Sequence, residues 1–156
     1  DEDLSRGLGD VYKRQKRTRI QPKKLTAFKA KLKQMTKRNG GMPLQSVINA
    51  LNPLLRGFSY YFKIANASRV FKQLASWLRR RLRSIQLKLW KKASRLHRWL
   101  RQHGYKGKFA HINMTSWCSA RSPLASYAMP NSWFDELGLM NLENVATGYV
   151  FSNYAK

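Results

Sequence analysis

From Val11 to Phe134 the chain contains no aspartate and no glutamate. All seven acids lie outside that stretch, as Asp1, Glu2, Asp3, Asp10, Asp135, Glu136 and Glu143. Of the 31 lysines and arginines only Arg6 and Lys156 fall outside it. The missing carboxylates exclude most acid–base pairs and two-metal clusters as chemistry of this region. Self-repulsion on so one-sided a surface points to a polyanionic partner. Cysteine is almost absent too. Cys118 stands alone, so there is no internal disulfide and no Cys-x-x-Cys zinc pair, and a reducing, cytoplasmic setting is the simpler expectation. The spacing of His97, His103, His111 and Cys118 matches no standard zinc pattern. No apolar run approaches the length of a membrane span, the acidic N-terminus has no signal-peptide core, and neither a strand pattern nor an internal repeat is visible.

What is present suits a folded basic domain. The length of 156 residues fits one domain or a domain with tails. A hydrophobic fraction of 43% with 12% aromatics is enough to build a core, which argues against a disordered basic tail. The net charge of +24 fits a nucleic-acid binder or a protein of anionic membrane surfaces, and charge alone does not choose between them.

Apolar periodicity predicts helices throughout. Pro22 to Arg38 carries Leu25, Phe28, Leu32 and Met35 on one stripe, with Lys24, Lys31, Lys33, Lys37 and Arg38 largely off it. Pro43 to Ile64 carries Leu44, Val47, Ile48 and Leu51, then Leu54, Leu55, Phe58 and Phe62. Pro53 between the two sets predicts two short helices or one kinked helix. Gly57 predicts close packing against another backbone. The longest pattern, Ser68 to Lys92, places Phe71, Leu74, Leu78, Leu82, Ile85 and Leu89 within about 40° of one direction. Arg69, Arg80, Arg83 and Lys91 fall opposite, with Trp77 and Trp90 on the flanks. Ser94 to Gln102 follows, with Leu96, Trp99 and Leu100 inward and Gly104 as its stop. Beyond Tyr105, Ser122-Pro123 and Asn131-Ser132 read as starts of short helices, Gly138 ends the second, and Asn141 to Lys156 has no clear period. At the other end, the run SRGLGDVYKRQ, Ser5 to Gln15, resembles translated sequencing-adapter read-through. Residues 1–15 are therefore expected to be non-native, with the true chain beginning upstream.

Two ordered segments, LQSVINALNPLLRGFSYYFKIANASRVFKQL at Leu44 to Leu74 and WLRRRLRSIQLKLWKK at Trp77 to Lys92, resemble the maturase-specific domain of group II intron-encoded reverse transcriptases. The resemblance runs from Ile20 to about Tyr105. Phe58 stands where the family usually has Trp. A further run, SARSPLASYAMPNSWFDELGLMNL at Ser119 to Leu142, is similar to the C-terminal end of bacterial members. The resemblance implies a domain that follows the polymerase palm, binds intron RNA, and in the intact enzyme helps hold the template–primer duplex. The family's Tyr-Ala-Asp-Asp polymerase motif is missing, as is its Cys-paired endonuclease. The expected protein is therefore the non-catalytic C-terminal part of a longer bacterial, cytoplasmic enzyme. It needs no cofactor, and its partners are intron RNA and a polymerase domain rather than a membrane.

The expected architecture is all-α. Residues 16–105 form a small thumb-like bundle of amphipathic helices, and residues 106–156 a loosely structured extension with short helices. The candidate RNA contacts are Arg69, Lys72, Arg79, Arg80, Arg81, Arg83, Lys88, Lys91 and Lys92 on or just past the longest helix. To these are added Lys31, Lys37 and Arg38 from the first, and Tyr60 as a base-stacking ring. With no acids nearby to pair them, Arg80 and Arg83 are the favoured contacts. The competing reading is a cationic amphipathic protein that binds membranes or a partner protein.

Overall fold

The computed structural model of the chain describes residues 21–62 and 68–145. The expectations for residues 1–15 and 146–156 lie outside them. The described residues hold six α-helices joined by turns and 3-10 segments, with no strand among them, as the all-α reading expects.

Helix α1, Pro22–Met35, starts on its proline and buries Leu32, with Leu25, Phe28 and Met35 packed against the core. It stops short of the expected Arg38. The Thr36 hydroxyl donates back to the Leu32 carbonyl at 2.7 Å, a bond that competes with the helix for its own acceptor. Residues Arg38–Gly40 then make a 3-10 turn, and Gly41 at φ 65° turns the chain.

Helix α2, Leu44–Phe62, is continuous through Pro53, one helix rather than two short ones. Pro53 is exposed, where water can take the carbonyl its missing N–H leaves unpaired. The neighbouring Asn52 is tied across the molecule: its amide donates to the Gly138 carbonyl at 2.7 Å and accepts from the Met140 N–H at 2.9 Å. Gly57 corrects its expectation. It is exposed, and a Cβ there would meet nothing within 4 Å, so no backbone packs against it. The contact in this region is aromatic instead. Phe58 stacks on Phe28 of α1 at 4.0 Å between ring centres and tilts against Phe62 and Phe71 at 4.8 and 5.6 Å.

Helix α3, Ser68–Trp90, is the axis of the fold. The predicted stripe is buried from Phe71 to Ile85, with Leu89 partly covered. Burial does not stop at the stripe. Arg81, Leu82, Ser84, Ile85 and Leu87 are all buried, and at 100° per residue they span about 220° of the helix; Arg83 and Gln86, in the remaining arc, are half-buried. Its C-terminal half is therefore enclosed. The helix ends at Lys91, a non-glycine residue at φ 66°.

Helix α4, Ala93–Gln102, buries Leu96 and Leu100 and closes on Gly104, at φ 81°, with the Tyr105 N–H bonded to the Leu100 carbonyl at 2.9 Å. A 3-10 segment, Trp117–Arg121, leads into α5, Pro123–Ala128, whose first turn is capped by the Ser122 hydroxyl at 3.3 Å. Helix α6, Asn131–Glu136, closes on Gly138 at φ 88°, and a last 3-10 segment covers Leu142–Asn144. These short elements lie on the sides of α3 that the stripe leaves uncovered. Both Trp117–Arg121 and Leu142–Asn144 contact α3. Leu124, Met129, Phe134 and Leu142 share one core with the longer helices.

That second layer is held by arginines. Two-residue spacing turns a helix by about 200°, so Arg79 and Arg83 leave one flank of α3 and Arg81 the other. Arg79 is 7% exposed and pairs with Glu143 at 2.6 Å. Arg83 donates through Nε to the Met129 carbonyl that ends α5 and through Nη2 to Asn131 Oδ1 at the start of α6, both at 2.9 Å. Arg81 donates through Nε to the Thr36 hydroxyl at 2.6 Å, and through Nη2 to the Lys33 and Thr36 carbonyls at 3.1 and 3.3 Å. It thereby satisfies carbonyls that α1 leaves open at its C-terminus, the negative end of the helix dipole.

Two substitutions check this account. Gly57→Ala is expected to raise unfolding stability by about 1 kcal/mol in urea titrations, since an exposed helical glycine gives up propensity without relieving any clash. Arg81→Ala is expected to cost about 2–3 kcal/mol by stripping charge-assisted bonds from buried carbonyls, whereas Lys31→Ala, on the exposed side of α1, should stay within about 0.5 kcal/mol.

Candidate nucleic-acid interface

With Arg79 and Arg81 buried and Arg80 and Arg83 half-buried, much of the exposed charge lies on α1, at the two ends of α3 and on α4, where Arg95, Arg98 and Arg101 are exposed. Lys31 and Lys37 are exposed, as are Arg69 and Lys72 early on α3 and Lys91 and Lys92 just past it. Arg38, Arg80, Arg83 and Lys88 are half-buried, and Arg79 and Arg81 buried. Tyr60 is 75% exposed at the end of α2. Its neighbour Tyr61 receives the Lys24 ammonium on its hydroxyl at 3.3 Å.

The sequence reading places Arg83 opposite the apolar stripe of α3, and its angle on the helix is as expected. The side chain nevertheless meets protein there, because α5 and α6 occupy that flank and Phe134 lies 5.4 Å beneath the guanidinium. The expectation that no acid is near to pair these arginines is corrected at Arg79, which Glu143 reaches from 64 residues downstream. Arg80 is half-buried, like Arg83, and borders a surface cleft.

Some of the candidates converge. Lys37, Arg38 and Arg81 line one cleft of about 520 Å3, together with Lys33, Trp77 and Trp117. The Arg81 guanidinium lies 5.3 Å from the centre of the Trp77 ring and 4.7 Å from that of Trp117, and Arg38 lies 5.7 Å from Trp117. Arg38 also donates to the Thr115 carbonyl, which holds the 3-10 turn after α1 against the segment carrying Trp117. Indole faces are favourable neighbours for a guanidinium and partly offset its loss of water. They do not offset it fully. Burial, and after it the repulsion of Arg38, holds the Arg81 pKa below its ordinary value. Arg83 is lowered likewise by burial, then by Arg79 and Arg80.

A second cleft, of about 560 Å3, is lined by Lys72 and Arg80 with Lys29, Gln73, Ser76, Glu143 and the same Trp77. Trp77 thus borders two cationic depressions. Arg69, Lys31, Lys88, Lys91, Lys92 and Tyr60 line neither. Sequence reasoning missed Trp117 altogether. It sits in an aperiodic stretch, and its closeness to Arg38 and Arg81 arises only from the tertiary fold. Lys33 stood out in the sequence only as one of the cations off the stripe of α1, and Lys29 carried no signal beyond its charge.

The metal-capable side chains stay dispersed. His97 packs against Phe109 at 4.5 Å and His103 on Trp99 at 4.2 Å, while Cys118 is exposed. Among the described residues no three of His, Cys, Asp or Glu come together. Nor is any helix among them long and apolar enough to cross a membrane.

The arrangement offers cations, indole faces and few acids, with the exposed faces spread over several helices. No curated protein matches the chain. The family model described as the group II intron, maturase-specific domain matches residues 25–105, more than half of its length, from within α1 to just past α4. The Ser119–Leu142 run lies beyond that match. This domain is a non-catalytic part of intron-encoded reverse transcriptases, tied in general to RNA binding and splicing of group II introns. The chain belongs to the family of group II intron maturase-specific domains.

Proposed function

We propose that this chain grips folded group II intron RNA through the exposed cations of α1 and α3 and steadies the RNA in its splicing-competent form. Residues 25–105 supply the family's helical unit, and the segment after Tyr105 locks α3 in place. The observation that carries the reading is the imbalance of charge at the surface. Among the described residues stand only three acids, Asp135, Glu136 and Glu143, and one salt bridge, Arg79–Glu143. Lys31, Lys37, Arg69, Lys72, Lys91 and Lys92 stand exposed around the bundle. Phosphates distributed over a folded RNA complement such a surface, and each neutralised phosphate releases condensed counterions.

In the longer reverse transcriptase to which we assign it, the domain would follow the palm and help hold the template–primer duplex. An upstream reading frame that continues into a palm-type Asp-Asp motif is the expected finding in the gene. A start codon just ahead of Lys16 would point instead to a free-standing splicing factor.

Filter binding of group II intron RNA across a salt series tests the RNA contact. Affinity should fall with salt, and Lys72→Ala and Arg80→Ala should each reduce the log–log slope by roughly 0.7–0.9 if they meet a phosphate. Arg83→Ala should act mainly on stability, visible as an earlier urea midpoint. Binding indifferent to salt and to Lys72 and Arg80 would remove the proposal.

A further inference from the structure

The cleft between α1, α3 and the Trp117 segment is built for more than a phosphate. Lys33, Lys37, Arg38 and Arg81 bring four positive charges to it, and no carboxylate of the described residues lines it. Its volume of about 520 Å3 lies within the range of small-molecule sites, about 300–1,000 Å3. Two of its six lining residues are tryptophans, and neither is fully buried. A bare anion would use the cations and leave unused the indole surface that Arg81 and Arg38 do not cover. A membrane surface or an A-form duplex could meet the cations but could not insert a flat group beside the rings, because duplex bases remain stacked within the helix.

The second cleft makes the contrast. It has one indole, and Glu143 stands in its lining, a carboxylate already engaged by Arg79. That composition suits passing phosphates better than an inserted ring.

We propose that the Trp77–Trp117 cleft receives one unpaired nucleotide of RNA, its base against the indoles and its neighbouring phosphates on Lys33, Lys37 and Arg38. The inference rests on the RNA-binding reading above and adds to it a preference for an unstacked base. The platform is set before any ligand arrives. Arg81 is fixed by its bonds to Thr36 and Lys33, and Arg38 by its bond to Thr115, so little ordering is left for binding to accomplish. The bonds of Arg81 run through Nε and Nη2, which leaves Nη1 as the nitrogen for a base edge or phosphate oxygen. The guanidinium plane of Arg38 offers a further stacking face. Stacking on a ring is tolerant of base identity, so the site senses that a base is unpaired more than which base it is.

The test compares two single-stranded RNA probes of about eight nucleotides, a length within the usual site size of single-strand binders. One is an ordinary oligomer and the other carries abasic riboses at its central positions. Each is titrated into the full chain by fluorescence anisotropy. The ordinary oligomer should bind roughly fivefold or more tightly, the lower end of what one stacked base contributes. Trp117→Leu should abolish that preference, Trp117→Phe should keep most of it, and Lys33→Ala with Lys37→Ala should weaken both probes alike. The ratio is read on a single preparation, so partial unfolding of a variant cancels from it. Equal binding of the two probes, or a preference that survives Trp117→Leu, overturns the inference. So does competition by polyglutamate as effective as that by the ordinary oligomer, which would mark the cleft as a site for acidic protein segments. Intron RNA that binds the chain while neither oligomer does overturns the nucleotide site and leaves the RNA-binding reading standing. Failure of intron RNA to bind at all removes both.

Discussion

The fold depends on finding partners for buried guanidinium groups in a chain that has almost no carboxylates to give them. Three arginines on α3 point into protein, and only Arg79 receives an acid, Glu143, from beyond the acid-free stretch. Arg81 and Arg83 are satisfied by carbonyl oxygens at the ends of α1 and α5 and by aromatic faces. A guanidinium suits this role because it is a planar fork of donors that stays charged when buried. Helix C-termini suit it equally, since their last carbonyls lack internal partners and carry the negative end of the dipole. One arginine thus ends α1 and another joins α5 to α6. Without them the segments around α3 would present bare helix ends to a low-dielectric interior, where an unmet carbonyl costs about 1–3 kcal/mol.

The local periods of α1 to α4 were legible because each stripe repeats within a single element. Leu25, Phe28, Leu32 and Met35 face the core, as do Phe71, Leu74, Leu78, Leu82 and Ile85. Ser122-Pro123 and Gly138 also marked the short helices through turn and cap chemistry that needs no tertiary knowledge. The second layer was not legible. A helical wheel gives Arg83 its direction, but what lies there, Met129, Asn131 and Phe134, comes from at least 46 residues further on. Gly57 misled for a related reason: a glycine in a helix marks close packing only when something is there to pack, and at this position the space is open. Thr36 ended α1 early through a hydroxyl bond and a distant arginine that no stripe contains. Of the candidate site, its charge was visible in the sequence, whereas the meeting of Trp77 and Trp117 was not.

Arginine and lysine divide the work in a way their chemistry explains. Among the described residues the buried cations are both arginines, Arg79 and Arg81; Arg38, Arg80 and Arg83 are half-covered, as is Lys88, while Arg56, Arg69, Arg95, Arg98, Arg101 and Arg121 are exposed. Lys23, Lys24, Lys29, Lys31, Lys33 and Lys37 on and beside α1 are all exposed. An ammonium is compact and strongly hydrated, so its desolvation is costly and its place is in water. A guanidinium is more weakly hydrated and can trade water for carbonyls and rings. The consequence is a separation of roles along one helix. Removing a residue such as Arg83 disturbs the packing that forms the surface, while removing one such as Lys72 changes the surface alone.

The cleft beside Arg81 is where the two roles meet. Its guanidinium is bound to the end of α1, yet it shares a depression with Lys33, Lys37 and Arg38, and repulsion from Arg38 adds to the effect of burial in disfavouring its charge. An anion placed there relieves that repulsion in the folded chain and finds no equivalent cluster once α1 and α3 separate. By mass action, a ligand that binds only the folded form stabilises it. Binding at this cleft would therefore favour the folded form, in which Arg81 terminates α1. A charge distribution that strains the isolated domain would become a favourable term once anions neutralised it.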